Sequence, residues 1–388
     1  MTVHATGLTP DRAAIRDHAR EFVRREILPQ VRALDNAQAD IPMAMREKLA
    51  EMGYFGLLIP EEYGGLGLGC YEYCLVSEEL SRAWMSVGSI IVRGNLLIGA
   101  QAMSEEMRRR YLPRMATGEM VGAFAMSEPD AGSDVAGLKT RAVKDGDSYR
   151  ITGNKYWCTF AREADFLIVV ARTSPAPEGK RHRGLSMFMI EKPRGEFPEG
   201  ISGAPIPKIG YFGMKTYELA FDEFVVGADQ MIGEEGQGFY YATQGLECAR
   251  AQTGARSVGV ARGALEDAVA YSQERVQFGN PISAFQETRF KIARMASDIE
   301  AGRALVYDVA DKIDTGTRCD REAAMAKYFC TEMSERVASD ALQIHGGAGY
   351  TKLHDVERHW RDARLTKLFE GTSEIQLRVI SDSILGRG

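Results

Sequence analysis

The hydrophobic period of this chain changes twice along its length, and that limits the folds open to it. Up to about residue 117 apolar residues recur at helical spacing, with Ala14, Ile15, Ala19, Phe22 and Val23 on one stripe and a second stretch from Met43 to Met52. From about Val121 the period shortens to bounded, β-prone runs at 166–170, 185–190 and 217–226, and Asp145-Gly146 supplies a hairpin turn before Tyr149. After Gly236 helical stripes return: Val258, Ala261, Leu265 and Ala268, then Ile292, Met295, Ile299 and Val306, then Ala326, Phe329, Met333, Val337, Ala341 and Ile344. The expected fold is mainly α with a middle β-domain: an α-helical N-terminal domain over 1–120, a β-barrel or sandwich over 121–232, and a C-terminal four-helix bundle over 233–388. The first bundle helix is expected to run about 40 residues, roughly 60 Å.

Composition narrows the function classes. A net charge of -6 gives no general attraction to nucleic acid or to an anionic membrane, and no apolar run has the length of a membrane span. Residues 1–10 lack the charged and apolar regions of a signal peptide. Cys70, Cys74, Cys158, Cys248, Cys319 and Cys330 form no CxxC pair and no metal-ligand spacing with histidine, so no metal site and a reduced, cytoplasmic protein are expected. The glycines at 64–69 miss the dinucleotide spacing, because position 70 is a cysteine, and read as a structural turn.

Three stretches can carry chemistry. In the first, Leu365, Leu368 and Phe369 end one helical face and Thr372 opens the next, with Gly371 as the bend and Thr372 as an N-cap. Glu370 is delivered from that joint beside free backbone N–H groups, and apolar neighbours there would favour its taking a proton, as a general base requires. The second, residues 124–134, offers the hydroxyls of Ser127 and Ser133 and close backbone approach at Gly132, which suits a phosphate or a flavin edge. The third is a strand in which Trp157 and Thr159 share a face, able to stack on and hydrogen-bond a planar ring.

Five motifs match in order along nearly the whole chain: 127–134 (SEPDAGSD), 157–159 (WCT), 275–282 (RVQFGNPI) with Gln286, 343–347 (QIHGG) and 370–372 (EGT). On these the chain resembles the acyl-CoA dehydrogenases. The resemblance implies one FAD per subunit, usually in a homotetramer. It implies that Phe124, Ser127, Gly132, Ser133, Trp157 and Thr159 line the flavin, with Thr372 and Glu374 touching it. Arg275, Phe278 and Gln286, with Gln343, Gly346 and Gly347, are expected at the adenine and pyrophosphate end, partly from a neighbouring subunit. Ser133, Arg250 and Gly371 fall at positions that meet the acyl-CoA.

The reaction so implied is α,β-dehydrogenation of an acyl-CoA thioester to the trans-2-enoyl-CoA. Glu370 is the base, its backbone N–H and a flavin ribityl hydroxyl stabilise the enolate oxygen, and flavin N5 takes the β-hydride. Electrons then pass to an electron-transferring flavoprotein. The alternatives are a flavin-dependent oxidase or monooxygenase on the same fold, which usually lacks the glutamate, and a non-catalytic flavin-binding protein. Ala249 closes the position where one branch of the family keeps its base, and Phe160 stands where asparagine is common. Lys215 occupies an often acidic position. Arg93 falls in a helix expected over 87–100 that floors the acyl pocket. A buried cation needs a counter-charge, either a distal carboxylate of the acyl chain or a protein carboxylate such as Glu78 or Glu79.

Overall fold

A computed structural model describes residues 8–95 and 100–386. The first part is helical: α1 (Pro10–Phe22), α2 (Leu28–Asn36), α3 (Met43–Glu51), α4 (Cys70–Ala83), α5 (Met85–Ile90), α6 (Val92–Asn95) and α7 (Glu105–Ala116). Thr9 and Ser104 cap α1 and α7 through their hydroxyls. The helix expected over 87–100 is instead broken at Ile91 into α5 and α6, and positions 96–99 lie outside the described residues. The glycine-rich turn before α4 is structural, since a Cβ on Gly65 would stand 2.0 Å from the carbonyl oxygen of Ile59.

The middle part is β1 (Gly122–Ala125), β2 (Arg141–Asp145), β3 (Ser148–Thr159), β4 (Phe166–Arg172), β5 (Leu185–Glu191), β6 (Ile201–Pro205), β7 (Thr216–Gly227) and β8 (Met231–Ile232). Among the described residues these pair in the order β6-β7-β3-β2-β4-β5-β8, with β1 added parallel to β4. The two halves join between β2 and β4 at one residue pair, Arg141 with Arg172, and no pairing of the described edge strands β6 and β8 closes a barrel. β4 and β5 are buried along almost their whole length, which is why their sequences read as continuous apolar runs instead of alternating.

The last part holds α8 (Gly238–Thr243), α9 (Leu246–Glu274), α10 (Gln286–Asp314), α11 (Asp320–His345), α12 (Val356–Thr366) and α13 (Ser373–Leu385), with a hairpin of β9 (Val276–Gln277) and β10 (Asn280–Pro281) after α9. The helix expected at about 40 residues is 29 long, because Gly245 adopts a left-handed φ of 76° and separates α8 from α9. α9 is the centre of the assembly: it packs on α4, α10, α11 and α12, and buried residues cover nearly its whole circumference from Arg250 to Ala264. A helix buried on all sides can carry a polar residue only where a partner meets it. The positions where α9 does so mark the site. No described helix is long and apolar enough to cross a membrane.

Candidate active site at the joint between α12 and α13

Glu370 (φ 54°) and Gly371 (φ 86°) are consecutive left-handed residues that turn the chain from α12 into α13. Glycine takes this conformation freely, but a glutamate does so rarely. Thr372 caps α13 as expected, its hydroxyl accepting from the Ile375 N–H at 3.4 Å. Gln376 Nε2 and Lys327 Nζ both donate to the Gly371 carbonyl oxygen, at 2.9 and 2.6 Å, and pin the joint from two sides. The Glu370 backbone N–H makes no hydrogen bond to any described residue, leaving a donor for a ligand oxygen. Of the seven described non-glycine residues with positive φ, three (Trp157, Phe278 and Glu370) are expected site residues.

The surroundings of the Glu370 carboxylate differ from the apolar ones expected. Its side chain is 31% exposed and is held by Arg256, whose Nη2 lies 2.7 Å from Oε1, and by the Thr253 hydroxyl, which donates to Oε2. Arg256 is itself 1% exposed. It donates through Nη1 to Ser89 Oγ at 2.8 Å and through Nη2 to Thr253 Oγ1 at 2.9 Å, and it lies 4.9 Å over the Phe369 ring. Burial opposes its charge, and the Glu370 carboxylate more than restores it. Lys327 on α11 is fully buried, and burial pulls its ammonium down to about 8 against the attraction of Glu370.

Arg93 completes this cationic wall. Burial lowers its pKa, opposed by nearby Tyr211 and Glu370, and its Nε is shut from solvent with no hydrogen-bond partner among the described residues. The protein carboxylates proposed for it are taken: Glu78 binds Arg262, Arg303 and Tyr307, and Glu79 binds Arg20 and Arg262. Three cations thus face one carboxylate. An anionic ligand would offset that imbalance.

A second face is suited to a planar cofactor. Trp157 is 56% exposed, and the loop after β1 is tied alongside it by the Tyr156 N–H donating to the Ser127 carbonyl oxygen at 2.8 Å. Thr159 Oγ1 is 3.0 Å from Thr216 Oγ1, and Phe124 and Ser127 are half-buried, whereas Gly132 and Ser133 are exposed in the loop. A solvent-facing indole with polar groups beside it fits a flavin ring. Gly346 and Gly347 have open space where a Cβ would stand, and Gln343 beside them is exposed. On the β9–β10 hairpin Phe278 is 93% exposed, and Arg275 and Gln286 are exposed near it. Among the described residues Phe278 meets the ring of Phe285 edge-on, with centroids 6.2 Å apart, and is otherwise open to solvent. Glu374 is exposed on the first turn of α13.

Arg250, 8% exposed, lines a separate cavity of ≈ 320 Å³ with Thr243, Glu247, Arg318 and Asp320. Phe160 is 3% exposed and packs under Arg46, with a guanidinium-to-ring distance of 5.0 Å. Lys215 pairs with Asp40 at 3.1 Å, tying the sheet to the segment before α3. Sequence reasoning missed Ser89, Thr253, Arg256 and Lys327. No sequence signal singled them out, since Arg250, Arg256 and Arg262 recur along α9 as the cations of a solvated helix face would.

Three family models cover the chain in order: acyl-CoA dehydrogenase N-terminal domain over residues 9–119, middle domain over 123–224 and C-terminal domain over 236–385. The (2S)-methylsuccinyl-CoA dehydrogenase of Cereibacter sphaeroides is 42% identical over 99% of this chain and 71% of that protein. Butyryl-CoA dehydrogenase from Megasphaera elsdenii superposes with a TM-score of 0.92 at 34% identity, over 99% of this chain and all of that one. A glutaryl-CoA dehydrogenase solved with glutaryl-CoA does so with a TM-score of 0.91 at 33% identity, over 100% of this chain and 98% of that one. The chain belongs to the acyl-CoA dehydrogenase family, FAD-dependent oxidoreductases acting on CH–CH bonds.

Proposed function

We propose that this enzyme oxidises a carboxylated acyl-CoA thioester to its trans-2-enoyl-CoA and hands the electrons to an electron-transferring flavoprotein. The observation that carries the substrate class is Arg93, a half-buried arginine near Glu370 whose shielded Nε meets no hydrogen-bond partner and which pairs with no carboxylate among the described residues. The names of two compared proteins, which concern methylsuccinyl-CoA and glutaryl-CoA, support the same class. Family membership supports the acceptor and a homotetramer, in which Arg275, Phe278 and Gln286 reach the cofactor of a neighbouring subunit.

FAD bound against Trp157 and Thr159 supplies a hydride acceptor. The chain does the rest. Phe124, Ser127, Gly132 and Ser133 hold the flavin edge, Gln343, Gly346 and Gly347 the nucleotide end, and Arg250 the CoA portion of the thioester. The Glu370 N–H and the amide framework around Gly371 face the thioester oxygen, where negative charge develops as the α-proton leaves. The Glu370 carboxylate receives that proton. Each pKa unit between thioester and base adds about 1.4 kcal/mol to the step, so stabilising the enolate is as necessary as the base itself.

The reaction is tested by anaerobic bleaching of the purified yellow protein with glutaryl-CoA or methylsuccinyl-CoA, followed by product identification. Glu370→Gln is expected to retain FAD and lose about 10²–10⁴-fold in the bleaching rate, the range for a general base. A variant as fast as the parent, or an unmodified protein that no thioester bleaches, would refute the proposal.

A further inference from the structure

The ion pair on Glu370 poses a chemical problem. A base must be free to take a proton, yet here both carboxylate oxygens are engaged, Oε1 by Arg256 and Oε2 by Thr253. The guanidinium and the hydroxyl sit on the oxygens that a substrate α-hydrogen has to reach. Arg256 is also well anchored, so it does not swing into water: its Nη1 is fixed to Ser89 and its ring stack to Phe369. Only an incoming anion can replace Glu370 as its partner, because leaving a buried guanidinium unpaired is costly.

The placement of that anion follows from the chain. Ser89, which holds Arg256 Nη1, and Arg93 are four residues apart across the α5–α6 junction. The two guanidiniums also feel each other, since repulsion from Arg256 helps to lower the Arg93 pKa, so Arg93 and Arg256 border one space. A carboxylate seated at Arg93 therefore arrives next to the free side of Arg256, whose Nε has no partner among the described residues. We infer that the Arg256–Glu370 ion pair is a latch on the base, opened when the distal carboxylate of the substrate takes Arg256 from Glu370. One ion pair breaks and another forms, the incoming carboxylate reduces the excess of positive charge, and Glu370 is left free to accept the α-proton. A neutral acyl chain brings no such anion, and the base stays held. Arg256 is in this role a specificity-determining positioning residue, acting through Glu370.

The inference rests on the carboxylated-substrate reading, and the test separates the two. The FAD-loaded enzyme is mixed anaerobically with saturating butyryl-CoA or glutaryl-CoA and the flavin bleaching rate is followed. In the unmodified protein the saturating rate is expected to be at least tenfold higher for glutaryl-CoA, and equal rates overturn the latch without any variant. Arg256→Lys keeps the charge but cannot span Ser89 and Glu370 together. With folding verified by its melting temperature, it is expected to speed butyryl-CoA and slow glutaryl-CoA, shrinking the ratio tenfold or more. Equal loss on both substrates makes Arg256 a mere support for the base and overturns the latch alone. Arg93→Gln is expected to raise KM for glutaryl-CoA only; no change in either KM refutes the carboxylated-substrate reading and the latch with it.

Discussion

Asp362 illustrates how a single buried group can cost stability in this molecule. It lies on α12, fully buried, and accepts the Tyr211 N–H at 2.7 Å, which holds the loop that places Tyr211 against the Glu370 joint. Burial, with repulsion from Asp35, raises its pKa to about 6. A carboxyl whose folded value exceeds its unfolded one binds more protons in the native state, so its contribution to stability falls as pH rises from about 4 to 6. At neutral pH the ionised form costs up to about 3 kcal/mol, two units at 1.36 kcal/mol each. Asp362→Asn keeps an oxygen acceptor for the Tyr211 N–H and removes the charge. Its melting temperature is expected to exceed the parent's at pH 7 and to converge on it near pH 4, as followed by circular dichroism; a difference independent of pH would contradict this account.

At the scale of elements, the joint between α12 and α13 determines where the carboxylate points. Gly371 at φ 86° is the position where a side chain is least tolerated, since a Cβ there would stand 2.6 Å from Gln376 Nε2, the group that holds the turn. Gly371→Ala is therefore expected to cost about 1–3 kcal/mol through left-handed strain and displacement of Gln376. The displaced joint also moves the Glu370 N–H and carboxylate together. Differential scanning calorimetry should show a melting temperature lower by several degrees, and turnover should fall more steeply than FAD content.

Across the whole molecule, helices from both ends of the sequence are joined through Glu78. Set in α4, it accepts from Arg262 of α9 at 2.8 Å and from Arg303 and Tyr307 of α10 at 2.9 and 2.8 Å. Burial pushes its pKa up, yet Arg303 and Arg262 outweigh that and hold it at about 2. The sign is opposite to that of Asp362: this stability is complete above about 4.5 and is lost as pH falls toward 2. Glu78→Gln takes one carboxylate from Arg262 and Arg303, which keep Glu79 and Glu300 as partners, and is expected to cost about 1–3 kcal/mol at neutral pH. Chemical denaturation at pH 7 against pH 3 measures it, and the variant's deficit should narrow at the lower pH.

The order of helical, β and helical parts, the N-cap at Thr372 and the bend at Gly371 were determined by the sequence alone. Each depends on residues within one or two turns of one another, where hydrophobic period, capping hydroxyls and glycine's freedom at positive φ act directly. The motif residues around Trp157 and Glu370 were legible for the same reason, as short local patterns. Only the tertiary structure decided the electrostatics of the base. Arg256 and Glu370 are 114 positions apart, and Lys327 comes from a third helix. On their own helices these residues follow no pattern that separates them from solvated cations, and the expectation of an apolar setting for Glu370 failed on that account. The break at Ile91 belongs to the same class, because helical propensity persists through it and packing decides where the helix stops, whereas the start of α9 follows from the left-handed turn at Gly245 itself.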